Sequence, residues 1–493
     1  MGKQVVVVGG SVAGLGVGLA LSSLGHRVTI LERDATPLPP SPIEAFETWD
    51  RRGSPQTRHS HAFLARLHNL ILDRAPDLYA SLREHGAEPL RFTDMARQHF
   101  SDSELLPEDE EITLLACRRI TFEWVLRRHV LDSGRVKFLD GVDVQGLEAE
   151  SGSGGPPLVT GVRVRRGDEH TSLSADLVVD ASGRRSRLPH WLEAIGGRPL
   201  REDSEPCGIF YSSRFYRLLD GVEPPVMEGA IGADLGYMKY AVFPGDSRIF
   251  SVTLAASPDD DTLRSVLRVR AFEAAAREFP AVRPWIDPAV SEPITEVHGM
   301  GMLQNSRRHF VDDGEPLALG LFPIGDALIH TNPITGRGCT LAWVGAFLLA
   351  DALDREPDDL RAFALALHED VEREITPWYD AALMQDRDAI EVEALQRQGV
   401  DPFATQREDG TANPRAFMRS VIREGLVPGL REDLVLLRAF MRVFNLLESP
   451  TDLMRDPVLM QRILAAYRRR EEREPQVLGP SRSEMMELLA RAA

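Results

Sequence analysis

Two stretches carry residue types at spacings that chemistry would use. Near the N-terminus, four valines (Val5 to Val8) run into Gly9-Gly10-Ser11-Val12-Ala13-Gly14, and Glu32 closes the next apolar run. Such glycines let the backbone turn sharply and bring a helix N-terminus against a pyrophosphate, whose charge the helix dipole and free N–H groups favour. An acid about twenty residues beyond the turn stands where a ribose hydroxyl needs an acceptor. Ser11 replaces the second glycine of the G-x-G-x-x-G pattern. A small hydroxyl side chain preserves the turn and can add a hydrogen bond to phosphate. Dinucleotide binding is the reading, against a glycine-rich turn that holds nothing. In the second stretch a hydrophobic run from Leu317 ends in Gly325-Asp326, and Asn332-Pro333-Ile334-Thr335-Gly336-Arg337-Gly338 leads into an apolar helix to Leu353. Glycines there admit a planar ligand close to the backbone, and the helix start favours negative charge. Asp326 either caps the turn or accepts from a ligand hydroxyl.

Three further segments are candidates. His59 and His61 lie in Pro55-Gln56-Thr57-Arg58-His59-Ser60-His61, a loop over a ligand or the polar start of a helix. No third or fourth ligand accompanies the two histidines, so no metal site is assigned. Arg119 precedes a helix expected to be N-capped by Thr121, with Phe122, Val125, Leu126 and Val130 on one face. There an arginine is either a solvated charge or a phosphate contact. Leu177 to Asp180 reads as a buried strand ending in Ala181-Ser182-Gly183-Arg184, and ligands of doubly wound sheets collect at such strand ends.

The elements that must position these residues follow from pattern and composition. With 493 residues, 43% of them hydrophobic and 27% charged, the chain can bury a large core as a soluble globular protein. A net charge of −18 argues against a nucleic-acid-binding surface. Cys117, Cys207 and Cys339 are far apart and odd in number, so no disulfide framework is expected. Residues 5–21 are glycine-interrupted and followed by a charged strand, which argues against a membrane span. A strand starting almost at Met1 leaves no room for a signal peptide, and the expected location is cytoplasmic. The proline-rich stretch 35–58 reads as a loop, and 86–111 as an excursion into a second domain. Val136 to Val164 is strand-like, turning at Ser151-Gly-Ser-Gly-Gly-Pro-Pro. Alternating runs from 205 to 255 predict a separate antiparallel sheet, whose aromatics either wall an apolar pocket or form plain core. Residues 261–285 and most of the chain beyond 354 are helical in pattern.

Taken in order, these motifs resemble the FAD-dependent monooxygenases of the para-hydroxybenzoate hydroxylase fold, the group that includes aromatic hydroxylases and the squalene and polyether epoxidases. The resemblance rests on Gly9-x-Ser11-x-x-Gly14 with Glu32-Arg33, Arg119-x-x-Phe122-Glu123, Asp180-Ala181-Ser182-Gly183-Arg184, and Gly325-Asp326 with Asn332-Pro333-x-x-Gly336-x-Gly338. It implies an α/β fold with a discontinuous Rossmann-like FAD-binding domain (1–85, 112–190 and 296–353). It also implies an antiparallel-sheet substrate domain (86–111 and 191–295) and a helical C-terminal region (354–493). Gly9, Ser11 and Gly14 would wrap the FAD pyrophosphate, and Glu32, followed by Arg33, would hold the adenosine ribose. Arg119 would reach the diphosphate or ribityl region and Asp326 the ribityl chain, with Gly336 and Gly338 at the isoalloxazine edge. The 55–61 loop corresponds to a flavin-covering loop.

The implied activity is insertion of one oxygen atom from O2, by hydroxylation or epoxidation through a flavin C4a-hydroperoxide, into a small lipophilic or aromatic substrate. Two departures bear on it. Ser182-Gly183 stands where the family has Asp-Gly, a motif tied to NAD(P)H contact. Asn332-Pro333 replaces a proline pair, which leans toward the epoxidase and reductase branches. Electrons would come from NADH or NADPH bound transiently, or as reduced flavin from a partner reductase. No nucleophile–base constellation accompanies the motifs, and His59 and His61 are the only candidate catalytic side chains. The alternatives are a flavin-dependent reductase of the geranylgeranyl-reductase type and a flavin-binding protein without turnover. The Trp-x-Trp-x-x-Pro motif of halogenases is absent.

Overall fold

The computed structural model describes residues 2–101, 104–150, 155–226, 232–407, 409–474 and 477–492. A β-branched run buried on both faces suits the middle of a parallel sheet, and Gln4–Val8 is the central strand of five. Arg27–Leu31 and Leu177–Asp180 flank it in parallel, with Val5 opposite both Val28 and Leu177. Val136–Leu139 and Leu321–Pro323 complete the edges. Strand alternation then separates two cores. Val5 and Val7 pack with Leu15, Phe122 and Trp343 on the helical face. Val6 and Val8 pack with Val144, Val162 and Trp191 beneath an antiparallel ribbon of Asp143–Glu150, Leu158–Arg166 and Glu169–Ser174.

The helix Val12–Ser23 crosses the helix Gly338–Arg355 at close range: a Cβ on Gly16 would lie 3.2 Å from the Trp343 indole nitrogen. Contact this tight brings the N-terminal ends of the two helices to one place.

The expected second sheet is present. Its order is Gly232–Asp234, Met238–Pro244, Ile249–Ala256, Phe210–Leu218 and Ser291–Pro293, paired antiparallel. One face, with Tyr216, Tyr240, Phe250 and Leu254, is covered by the helices Val269–Glu278 and Arg482–Ala492, whose Phe272, Met485 and Leu489 are fully buried. The Tyr237 and Tyr240 hydroxyls donate to the Pro480 and Leu478 carbonyls at 2.7 and 2.9 Å, fastening the last segment to the sheet. The other face turns toward the parallel-sheet domain, where Phe215 meets Phe46 edge-on at 5.1 Å.

Two local expectations need revision. The 35–58 stretch contains a helix, Pro42–Thr48, started by Ser41 accepting from the Glu44 N–H at 3.2 Å with proline in the first turn. Thr121 is not a cap: the helix Arg119–Asp132 begins two residues earlier, and the Thr121 hydroxyl donates to Asp246 at 2.9 Å. Within residues 86–111, Phe92 and Ala96 pack against Leu434. The Ser151 to Gly154 part of the expected turn lies outside the described residues, while Glu150 and Leu158 pair as a hairpin requires.

Candidate functional site

The turn after the first strand is a backbone-to-backbone contact that only glycines allow. Gly9 has φ +107°, and a Cβ on it would stand 2.5 Å from the Ala181 carbonyl oxygen. A Cβ on Gly14 would stand 1.8 Å from the Gly9 oxygen. The helix Val12–Ser23 therefore starts hard against the ends of the Gln4–Val8 and Leu177–Asp180 strands, with no acidic side chain in its first turn to neutralise its dipole.

Ser11 sits at the N-cap of that helix, yet its hydroxyl makes no capping bond. It donates to Glu123 at 2.8 Å and accepts from Ser54 at 2.7 Å and Arg119 at 3.1 Å. Its single O–H donor points into the protein. Glu123 is fully buried between two guanidiniums, Arg51 at 2.7 Å and Arg119 at 2.6 Å. Burial opposes its ionisation, but Arg51 and Arg119 outweigh it and hold the carboxyl down at about 2. Arg51 also reaches Glu32 at 3.1 Å and Asp34 at 3.2 Å. Glu32 accepts in addition from the N–H groups of Gly10 (3.1 Å) and Asp34 (2.9 Å). A carboxylate offers about four acceptor positions, and these three bonds leave Glu32 room for a ligand hydroxyl. Arg33 is exposed, beside this network and outside it.

The second half of the site is built around Gly325-Asp326. Gly325 has φ +59°, and a Cβ there would lie 3.2 Å from the Ala13 Cβ and 3.4 Å from the Ala342 Cβ. The turn is wedged between the first turns of two helices, Val12–Ser23 and Gly338–Arg355. Arg119 spans the same gap, bonding Ser11 on one side and lying near the Cys339 thiol on the other. Asp326 is a third exposed, with the His330 imidazole 4.0 Å from its carboxylate. Gly336 adopts the left-handed conformation at φ +68°, ending the Pro333–Thr335 turn. Arg337 follows at the helix N-cap, 5% exposed, over the Trp378 ring at 5.1 Å. Burial pulls its guanidinium down to about 10.

His59 and His61 sit where the two domains meet. His59 is buried, 3.3 Å from the Ser213 hydroxyl and edge-on to Tyr211 at 5.0 Å. Ser60 donates to Ser251 and accepts from Thr253, both at 2.7 Å, so the loop is stitched to the antiparallel sheet. His61 bonds the His59 carbonyl. Burial first, then His298 for His59 and Arg119 for His61, pushes both imidazoles down to about 3, so both are neutral at ordinary pH. Beside them Cys207, Ile209, Tyr211, Ala255 and Leu303 form a small apolar cluster that Ile334, from the Asn332–Gly338 loop, packs against.

Residues 3–198 match the family model described as FAD binding domain. This part of the chain is similar to FAD-binding domains. Protein Rv3254 of Mycobacterium tuberculosis is 29% identical over 366 residues, 71% of this chain and 72% of that one. Among solved structures, PqsL, described as a probable FAD-dependent monooxygenase from Pseudomonas aeruginosa, is similar over 81% of this chain and 99% of its own, at 18% identity and TM-score 0.54. The anhydrotetracycline hydroxylase OxyS from Streptomyces rimosus covers 91% of this chain and 76% of its own, at 16% identity and TM-score 0.53. A flavin-dependent brominase shares the same fold, so the structural likeness shows fold alone: the para-hydroxybenzoate hydroxylase type expected from the motifs.

The residues present fit FAD. Among the described residues, buried Arg337 Nε and Nη1, Thr340 Oγ1 and Arg119 Nε have no acceptor or donor partner, and all lie around the two helix starts. A Cβ on Gly338 would meet nothing within 4 Å, so the space beside this helix start is open. Arg51, Glu123, Ser54 and Arg337 are parts of the site to which the motifs assigned no role. Only the Arg119/Glu123 pair had a sequence signal, its spacing of four on a helix.

Proposed function

We propose that this flavoprotein is an FAD-dependent monooxygenase that transfers one oxygen atom from O2 to a small apolar or aromatic substrate, by hydroxylation or epoxidation. The observation that carries the reading is the Gly325-Asp326 turn wedged between the helices Val12–Ser23 and Gly338–Arg355, followed by the loop whose Ile334 packs against the apolar cluster around Tyr211. Gly9, Ser11 and Gly14 shape the turn that receives the pyrophosphate, Glu32 takes the ribose, and Asp326 the ribityl chain. Arg119, joining both helix starts, contributes positive charge along the diphosphate. Gly336 and Gly338 admit the isoalloxazine edge.

Bound there and reduced, FAD supplies the activation of dioxygen. The chain supplies the surroundings. The N-terminus of Gly338–Arg355 carries no acidic residue in its first turn, so its dipole, together with the unpaired Arg337 guanidinium, favours a reduced, anionic cofactor. The His59–His61 loop, pinned to Ser213, Ser251 and Thr253, closes the domain junction against water. His59 and His61, held neutral, offer a substrate polar contacts without charge, and the Tyr211 cluster receives its apolar body. NADH or NADPH, or reduced flavin from a partner reductase, provides the electrons, and the cytoplasm is where either is at hand. No helix among the described residues is long and apolar enough to cross a membrane.

The test is isotopic. The FAD-loaded protein is reduced anaerobically, mixed with 18O2 and candidate aromatic or alkene substrates, and the products are weighed by mass spectrometry. One labelled oxygen per product is expected. Saturation or desaturation of the substrate without label would instead identify a flavin-dependent reductase.

A further inference from the structure

The loop from Asn332 to Gly338 is held in shape from outside the FAD-binding domain. Asn332 caps its own turn, its side-chain oxygen accepting from the Ile334 N–H at 3.1 Å. What orients that amide is a closed ring of three buried side chains. Asn332 Nδ2 donates to Asp386 Oδ1 at 2.8 Å. Asn305 Nδ2 donates to Asp386 Oδ2 at 2.6 Å. Asn305 Oδ1 accepts from the Asn332 backbone N–H at 2.7 Å. Asn305 is fully buried, and Asn332 and Asp386 are 2% and 9% exposed. Asp386 belongs to the helix Thr376–Arg397, far beyond the Gly338 helix start. The same helix carries Trp378, the ring beneath Arg337.

Each bond in the ring is specific about donor and acceptor. Both asparagines present NH2 groups to Asp386, so the residue there must accept twice and donate nothing to them, which only a carboxylate does. Burial raises the Asp386 pKa, and the Asn305 and Asn332 amides oppose that rise. A buried carboxylate is costly to keep, and replacing the whole trio by apolar residues would fill the space at less cost to stability. Holding the loop in one shape is what this group adds.

We infer that Asp386 is a positioning residue for the cofactor: through Asn332 it sets the loop that receives the isoalloxazine, making the Thr376–Arg397 helix part of the FAD site. The inference rests on the FAD reading of the Asn332–Gly338 loop.

A donor–acceptor swap tests it. Asp386→Asn places an NH2 group against one of two other NH2 groups, and Asn332→Asp places a carboxylate against a carboxylate. The double variant restores every bond, since an asparagine at 386 accepts from Asn305 and donates to an aspartate at 332, which still accepts from Ile334. FAD dissociation constants and visible flavin spectra are measured for the purified proteins, with apoprotein melting temperatures alongside. Each single variant is expected to bind FAD about tenfold more weakly or worse, with a shifted flavin absorption band. The double variant should return both to wild-type values. Wild-type affinity and spectrum in both single variants would overturn the inference, as would a double variant that melts like wild type but binds FAD as weakly as the singles. If a single variant does not fold, the double variant decides alone. A wild-type protein that takes up no FAD would sink the FAD reading itself, which is a different outcome.

Discussion

Ser11 and Glu123 are joined by a 2.8 Å hydrogen bond across 112 residues of sequence. The residue that departs from the glycine pattern is thereby the anchor that ties the phosphate turn to a buried carboxylate and its two arginines. Glu123→Gln leaves Arg51 and Arg119 buried with their shared counter-charge removed. Breaking a buried ion pair from one side costs about 3–5 kcal/mol, and denaturant unfolding should show a loss of that size. Ser11→Ala removes one link only and should cost about 1 kcal/mol. Equal losses in the two variants would contradict the network as described.

Gly14 and Gly338 should separate folding from cofactor binding. Gly14→Ala puts a methyl 1.8 Å from a backbone oxygen, and the apoprotein should lose several kcal/mol of stability or fail to fold. Gly338→Ala meets no protein atom within 4 Å. Its apoprotein should melt as wild type while its FAD affinity falls. Calorimetry on apoprotein and FAD titration read the two effects independently.

Glu32→Ala and Asp326→Ala should both lower FAD retention through gel filtration, but with different side effects. Glu32 holds Gly10, Asp34 and Arg51 as well, so its loss should also reduce apoprotein stability. Asp326 makes one long ion-pair contact among the described residues, to His330 at 4.0 Å, and its loss should leave stability unchanged. Full FAD occupancy in both variants would remove these residues from the site.

Acid should destabilise the fold through the domain junction. His59 and His61 are held at about 3 against an ordinary 6.5. Between those values the unfolded chain binds protons that the folded chain refuses, so stability is complete above pH 6.5 and falls as pH drops toward 3. The slope is about 1.4 kcal/mol per pH unit for each histidine. His59→Asn should flatten the stability–pH profile across this window by one such slope. An unchanged profile would mean that His59 is protonated in the folded protein.

Much of the fold was legible in sequence because it depends on local pattern. Val5 to Val8, the glycine turn and the alternation between 205 and 255 each declare a strand or a turn by their own period. The Pro42–Thr48 helix had a signal too, in Ser41-Pro42 followed by Glu44, obscured by the prolines around it. Arg51 and Asp386 had none. Each acts by meeting a partner 72 or 54 residues away, and no periodicity encodes which buried arginine will face which carboxylate. The site was readable where backbone shape makes it, and unreadable where distant side chains brace it.

The segment that covers the antiparallel sheet is made long after the strands it covers. Tyr237 and Tyr240 wait for the carbonyls of Pro480 and Leu478, and the core around Phe272 for Met485 and Leu489. During synthesis from the N-terminus, Leu478 follows Tyr240 by 238 residues. Throughout that interval part of an apolar face of aromatic strands stays open on the nascent chain. The domain that would hold the substrate cannot close before Met485 and Leu489 are made, whereas the five parallel strands are complete by Pro323. The half of the molecule that would grip FAD therefore has its sheet first, and the half that would shield its chemistry is sealed later by the helix Arg482–Ala492.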